Sequence, residues 1–88
     1  MYEIIVEHPA ERFIKQLPKN EQEKILNLIE ELSIKPRLGK ELVGRLRGLR
    51  SLKTGIYRII YRIEEMKLVV LVLRAGYRGN IYSKKIGK

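Results

Sequence analysis

Between Gly44 and Ile63 the chain carries six basic residues and no acidic one: Arg45, Arg47, Arg50, Lys53, Arg58 and Arg62. Arginine presents a fixed fork of donors that matches phosphate oxygens, and its charge survives any pH of interest. Arg45 and Arg47 read equally well as solvating residues on an exposed edge. Arg58 is harder to dismiss, because it lies inside an otherwise apolar run beside an aromatic residue. A charge there is costly unless it opens onto a polar concave surface or pairs with a carboxylate. A second cluster, Ala75-Gly76-Tyr77-Arg78-Gly79-Asn80-Ile81-Tyr82, lies near the end of the sequence. Its glycines let the backbone turn sharply around Arg78 and approach a ligand closely. Tyr82 can stack on a base, donate a proton, or fill the end of a core, and Lys84 and Lys85 continue the basic character past it.

The missing residue types narrow the chemistry. There is no Asp and no Cys, and seven of the ten glutamates fall in residues 1–34. A two-metal nuclease needs carboxylates gathered around its ions, so no metal and no cofactor is expected. His8, the single histidine, precedes Pro9 and reads as a strand-end or surface residue. Ser33, Ser51 and Ser83 lack a base partner for a hydrolase triad, and the isolated glycines form no phosphate loop. Arginines, lysines and tyrosines remain. That set suits the cleavage of RNA, whose 2′-OH can attack the adjacent phosphate without a metal. A protein assisting that step must align the attack, neutralise charge on the phosphate oxygens and move protons. Arg58 and Arg78 can clamp the phosphate, and Tyr82 or a lysine of lowered pKa can handle a proton. DNA lacks the attacking hydroxyl and would be bound without being cut.

Charge distribution agrees with a polyanionic partner. The net charge is +9, but residues 1–34 hold four basic and seven acidic residues, a net of −3. Residues 35–88 hold fifteen basic and three acidic residues, a net of +12. Such a lopsided field attracts nucleic acid, although an acidic protein or a membrane surface would feel it too. Eighty-eight residues are expected to form one domain, 1–88. The absence of Cys and of a signal-like start points to the cytoplasm. The longest apolar run, Leu68 to Leu73, is too short to span a bilayer.

The elements that must position these residues follow from periodicity. Tyr2 to Glu7 reads as a short strand bounded by Pro9. Ala10 to Leu17 reads as a short helix stopped by Pro18. Asn20 is placed to cap a second helix, with Glu23 reaching back to it, and Ile25, Leu28, Ile29 and Leu32 share one face. That helix ends before Pro36, and residues 34–44 form a basic connection. Leu46 and Leu52 flank a basic strand candidate, followed by a turn at Thr54-Gly55. From Ile56 to Ile63 a strand turns Tyr57, Ile59, Tyr61 and Ile63 to one face, with Arg58 and Arg62 on the other. Glu64-Glu65-Met66 makes a hairpin turn. Lys67 to Ala75, apolar on both faces, belongs at the centre of the sheet. A turn over Gly76 to Asn80 and a last short strand, Ile81-Tyr82-Ser83, complete the chain. The expected class is α+β: an N-terminal strand and a helical hairpin packed on a small, curved, mainly antiparallel sheet. The face away from the helices is where the arginines are expected.

In order and spacing the chain resembles the RelE/ParE family of toxins from toxin–antitoxin pairs, and within it the archaeal RelE-type members. The likeness rests on the opening strand and helical hairpin, on Leu42-Val43-Gly44 leading to Leu49-Arg50-Ser51-Leu52, on Gly55-Ile56-Tyr57-Arg58-Ile59-Ile60-Tyr61, and on Gly76-Tyr77-Arg78-Gly79-Asn80-Ile81-Tyr82. The resemblance implies a RelE-like fold and a ribosome-dependent endoribonuclease that cuts messenger RNA in the A site. It puts the catalytic arginine on Arg58, a second on Arg78 and the C-terminal tyrosine on Tyr82. The remaining basic residues, Arg45, Arg47, Arg50, Lys53, Arg62, Lys84 and Lys85, are then RNA or ribosome contacts. The family's two lysines on the preceding strand fall on Leu49 and Ser51, which leaves the general base open. The implied partners are the small ribosomal subunit with its messenger and an acidic, helical RelB-like antitoxin, in an assembly of two toxins and two antitoxins. The same fold also carries ParE-like inhibitors of DNA gyrase. A third reading is a non-catalytic basic RNA-binding protein.

Overall fold

Alternation along Glu3–Val6 makes the first strand, β1, whose even-numbered residues Ile4 and Val6 turn inward. The computed structural model describes residues 1–79; Tyr82, Lys84, Lys85 and the expected strand Ile81–Ser83 lie outside the described residues. After β1 come α1 (His8–Lys15), α2 (Lys19–Glu31), β2 (Lys40–Glu41), β3 (Arg50–Thr54), β4 (Tyr57–Glu64) and β5 (Val69–Tyr77). The sheet order is β1-β5-β4-β3-β2. β5 sits between β4 and β1, the central place expected of its apolar run. It pairs antiparallel with β4 and parallel with β1, because the two helices carry the chain back across one face. The α+β expectation therefore holds, as a mixed sheet with one parallel pairing.

Several boundaries differ from the sequence reading, each for a local reason. Pro9 does more than bound β1: it sits in the first turn of α1, where a missing N–H is harmless, so the helix starts at His8 and not at Ala10. Asn20 does not cap α2. The helix begins at Lys19, and the Pro18 carbonyl accepts from the N–H groups of Glu21 (3.0 Å) and Gln22 (2.9 Å). The Gln22 side chain instead closes the hairpin, donating to the Leu17 carbonyl at 2.8 Å. Leu46 lies in a single 3-10 turn, Gly44–Leu46, and the following strand starts only at Arg50. Gly76 belongs to β5, paired with Arg58, and not to a turn. No helix among the described residues is long and apolar enough to cross a membrane.

The helical face of the sheet carries the main core. Ala10, Ile14 and Leu17 from α1, with Ile25 and Ile29 from α2 and Leu32 just beyond it, pack on Leu52, Tyr57, Ile59, Tyr61, Val70 and Val72. Burial of this kind is the main favourable term in folding. The alternation expected along β4 is present, with Tyr57, Ile59 and Tyr61 buried on this face. Tyr61 is fully buried and bolts down the connection to β2: its hydroxyl donates to the Pro36 carbonyl at 2.6 Å and accepts the Gly39 N–H at 2.8 Å. Position 39 must be glycine for that approach, since a Cβ there would stand 2.8 Å from both the Ser51 carbonyl oxygen and the Tyr61 ring.

A second, smaller cluster forms on the other face. Fully buried Ile60 is covered there by Leu42, Leu46 and Leu49 from the loop between β2 and β3. That loop thereby lies over the face to which Arg58 belongs.

Candidate functional site

Strand register assigns the arginine face residue by residue. Directly paired residues share a face, so Lys53, opposite Arg58, and Ser51, opposite Ile60, lie on it. On β5 the partners of Arg58 and Ile60 are Gly76 and Arg74. The ladder then skips a residue, pairing Ile60 with Arg74 but Tyr61 with Val72, so Leu73 is the extra residue of a bulge. The bulge lies next to Arg74, opposite Ile60 and Tyr61, and such irregularities re-aim neighbouring side chains.

Arg58 is half-buried, and its Nη1 donates to Ser51 Oγ at 2.9 Å across the β3–β4 ladder. Arg78 is exposed and continues the ladder, its N–H donating to the Ile56 carbonyl at 2.9 Å, while its Nη1 reaches the Gly55 carbonyl at 3.4 Å. The two arginines meet at one open depression of about 500 Å³, lined by Ile56, Arg58, Tyr77, Arg78 and Gly79. Tyr77 is 45% exposed and Ile56 62% exposed, giving the depression an apolar rim. The Tyr77 ring itself turns to the helical face, packed on Phe13 and Tyr57 with centroids at 5.3 and 5.6 Å, so Tyr77 borders the depression from the strand end. None of the described lining residues is acidic. Two guanidinium groups beside an apolar rim suit a phosphate carrying a flat, stackable group.

The other expected contacts are distributed unevenly. Lys53 is exposed directly opposite Arg58, a like-charge pair that costs stability. Arg45 and Arg47 are exposed on the loop that covers Ile60. Arg62 shares the face but donates from Nε to Glu64 Oε2 at 2.7 Å. Arg50 is not brought to the site: it pairs with Tyr61, belongs to the helical face, and donates from Nε to the Gly39 carbonyl at 3.2 Å. An arginine at the first residue of a strand has its face set by register alone, which composition does not reveal. His8 is exposed at the start of α1, its Nδ1 3.8 Å from Glu11. Among the described residues no group of three or more His, Asp or Glu could hold a metal ion.

Two residues of this face escape the sequence reading. Ser51 reads there as a nucleophile without a base and as the position of a family lysine, yet its hydroxyl accepts a hydrogen bond from Arg58. Arg74 is hidden within an apolar strand, although its charge interrupts that run and alternation puts it on the face of Gly76. Among the described tyrosines, Tyr57 and Tyr61 are pushed up chiefly by burial, and Tyr2 chiefly by donating to Glu65 at 2.7 Å.

Comparison with known proteins gives a consistent picture. A family model described as the ParE-like toxin of type II bacterial toxin–antitoxin systems matches residues 4–85. The toxin RelG of Mycobacterium tuberculosis is 40% identical over 55 residues, which span 61% of this chain and 63% of that relative. The crystal structure of the toxin–antitoxin complex RelBE2 from the same organism contains a chain that matches with a TM-score of 0.80 and 32% identity, over 88% of this chain and 98% of that one. The archaeal RelE–RelB complex from Pyrococcus horikoshii is similar in fold, with a TM-score of 0.73 at 24% identity over 89% of this chain and 96% of its own. The bacterial chain is thus the nearer of these two, and the sequence-based leaning toward archaeal members is corrected to the family as a whole.

Proposed function

The chain belongs to the ParE-like toxin family of type II bacterial toxin–antitoxin systems, and we propose, with support from its likeness to RelG and to a chain of the RelBE2 complex, that it is a ribosome-dependent, metal-independent endoribonuclease that cuts messenger RNA in the A site. The observation that carries this reading is the meeting of Arg58 and Arg78 at one open depression whose described lining residues include no carboxylate.

In the proposed step the 2′-oxygen bonds to the adjacent phosphorus while the bond from phosphorus to the 5′-oxygen of the next nucleotide breaks. The 2′-hydroxyl gives up a proton, and the leaving oxygen takes one. Arg58 and Arg78 grip the non-bridging oxygens and stabilise the charge that grows on them. Ser51 keeps the Arg58 guanidinium aimed, and exposed Ile56 offers an apolar surface beside the phosphate. Tyr82 is assigned to stacking or proton donation on the strength of the family resemblance. Lys53, Arg45, Arg47, Arg62, Lys84 and Lys85 then act as contacts to messenger or ribosomal RNA. A RelB-type antitoxin, acidic and helical, is the natural partner for the +12 half of the chain, in an assembly of two toxins and two antitoxins in the cytoplasm.

The test is primer extension on a defined message in programmed ribosomes, comparing antitoxin-free wild type with Arg58→Ala and Arg78→Ala. A new cut at the A-site codon that both substitutions abolish supports the proposal. Absence of any cut by folded wild-type protein overturns it.

One observation favours a second reading, inhibition of DNA gyrase without RNA cleavage. Ser51 stands where a family lysine would be, and it ties Arg58 into the sheet. A protein that fails on ribosomes but inhibits supercoiling by purified gyrase would establish that alternative.

A further inference from the structure

Arg74 is half-buried in the middle of β5, on the same sheet face as Arg58. Its direct cross-strand partner is Ile60, which is fully buried and apolar, and its diagonal neighbour is Arg58, a like charge. Among the described residues no carboxylate lies within ion-pair distance of it. A partly desolvated guanidinium placed beside an apolar side chain and a second guanidinium costs stability. The guanidinium is not needed to cover Ile60, which already lies under Leu42, Leu46 and Leu49.

The position has a pattern. Alternation along β5 turns Arg74 and Gly76 to one face, and Gly76 is the residue paired with Arg58. Gly76 contributes no side chain, so the cations on either side of it are those of Arg74, Arg58 and Arg78. Arg74 and Arg78 are four residues apart, roughly 13 Å at strand rise, with Arg58 across the middle. A single phosphate does not need three arginines spread over such a length. A sugar–phosphate backbone running along β5, with a phosphate at each nucleotide, matches that spread.

Resting on the ribonuclease reading above, we propose that Arg74 is a further binding residue of this site, holding an RNA phosphate next to the one gripped by Arg58 and Arg78. It binds substrate before and during the reaction alike, so it serves affinity and alignment of the strand and not the chemical step. A contact to phosphate also carries no base preference.

The experiment measures single-turnover cleavage of message in programmed ribosomes against protein concentration, at several salt concentrations. The proteins are wild type, Arg74→Met, Arg74→Lys and Arg58→Ala, with Arg12→Ala on the helical side as a charge control. Met keeps the length and apolar stem of Arg, and circular dichroism checks the fold of each variant. Arg74→Met is expected to raise the half-saturating concentration roughly ten-fold, as loss of a charge-assisted contact would. Its maximal rate stays close to wild type, and the logarithmic salt slope falls by about 0.7 to 0.9, the signature of one lost phosphate. Arg74→Lys recovers part of the affinity, and Arg12→Ala behaves as wild type. If Arg74→Met matches wild type in both affinity and salt slope while Arg58→Ala is inactive, this inference fails and the ribonuclease reading stands. If Arg74→Met cuts normally but binds an acidic antitoxin chain more weakly, Arg74 is a partner contact and the inference is likewise overturned. If wild type itself does not cut, both fall together.

Discussion

Arg58 and Ser51 are joined across the β3–β4 ladder by a hydrogen bond of 2.9 Å, from guanidinium Nη1 to hydroxyl Oγ. The arginine to which the family resemblance assigns catalysis is therefore aimed by a small polar residue that is itself buried. Removing the hydroxyl leaves the charge in place and loosens only its direction. Ser51→Ala is expected to lower the maximal cleavage rate about five- to ten-fold, the worth of one net hydrogen bond of roughly 1 kcal/mol. Arg58→Ala is expected to lose about a hundred-fold or more, as removal of a transition-state donor does. Single-turnover cleavage in programmed ribosomes measures both, and equal losses for the two substitutions would contradict the positioning role.

Tyr61 concerns stability and not chemistry. Its hydroxyl satisfies the Gly39 N–H and the Pro36 carbonyl in a fully buried position. Tyr61→Phe keeps the ring and leaves both backbone groups unsatisfied, which should cost about 1–3 kcal/mol. Urea unfolding gives the loss as a lower midpoint at unchanged slope. A midpoint equal to wild type would show that water satisfies those groups.

The same residue gives the protein a stability limit on the alkaline side. Burial pushes Tyr61 above the ordinary tyrosine value, as it does Tyr57, while donation to Glu65 raises Tyr2. A raised folded-state pKa means that the unfolded chain releases these protons first. Their contribution is thus fully present below the unfolded value of about 10 and is lost as pH rises through the folded-state values. Thermal melts from about pH 8 to about pH 11.5 should show a falling midpoint above about pH 10. The fall should be shallower in Tyr61→Phe. Parallel curves would remove Tyr61 from the account.

Ile60 holds the loop that carries Arg45 and Arg47 over the arginine face. Truncation to Ala deletes the buried anchor under Leu42, Leu46 and Leu49, at a cost of roughly 2–5 kcal/mol. Trypsin should then cut after Arg45 or Arg47 much faster than in wild type, because the local opening energy falls. Unchanged cutting there would mean that the loop is held by something other than this cluster.

Much of this architecture was legible in the chain itself, because local patterns are dictated by local chemistry. The period-two alternation of Tyr57, Ile59 and Tyr61 against Arg58 and Arg62 required a strand with a wet face and a dry one, and β4 is that strand. The 3.6-residue spacing of Ile25, Ile29 and Leu32 required a helix lying on something apolar. The concentration of positive charge after residue 34 set a field that attracts polyanions, whatever surface they belong to. What tertiary structure decided was register. Which face Arg50 occupies, that Arg74 stands diagonal to Arg58, and that Ser51 meets the Arg58 guanidinium all depend on how strands distant in sequence are aligned. A shift of one residue in that alignment would move every side chain to the opposite face, and the pairing energies that prevent it lie between segments and not within them.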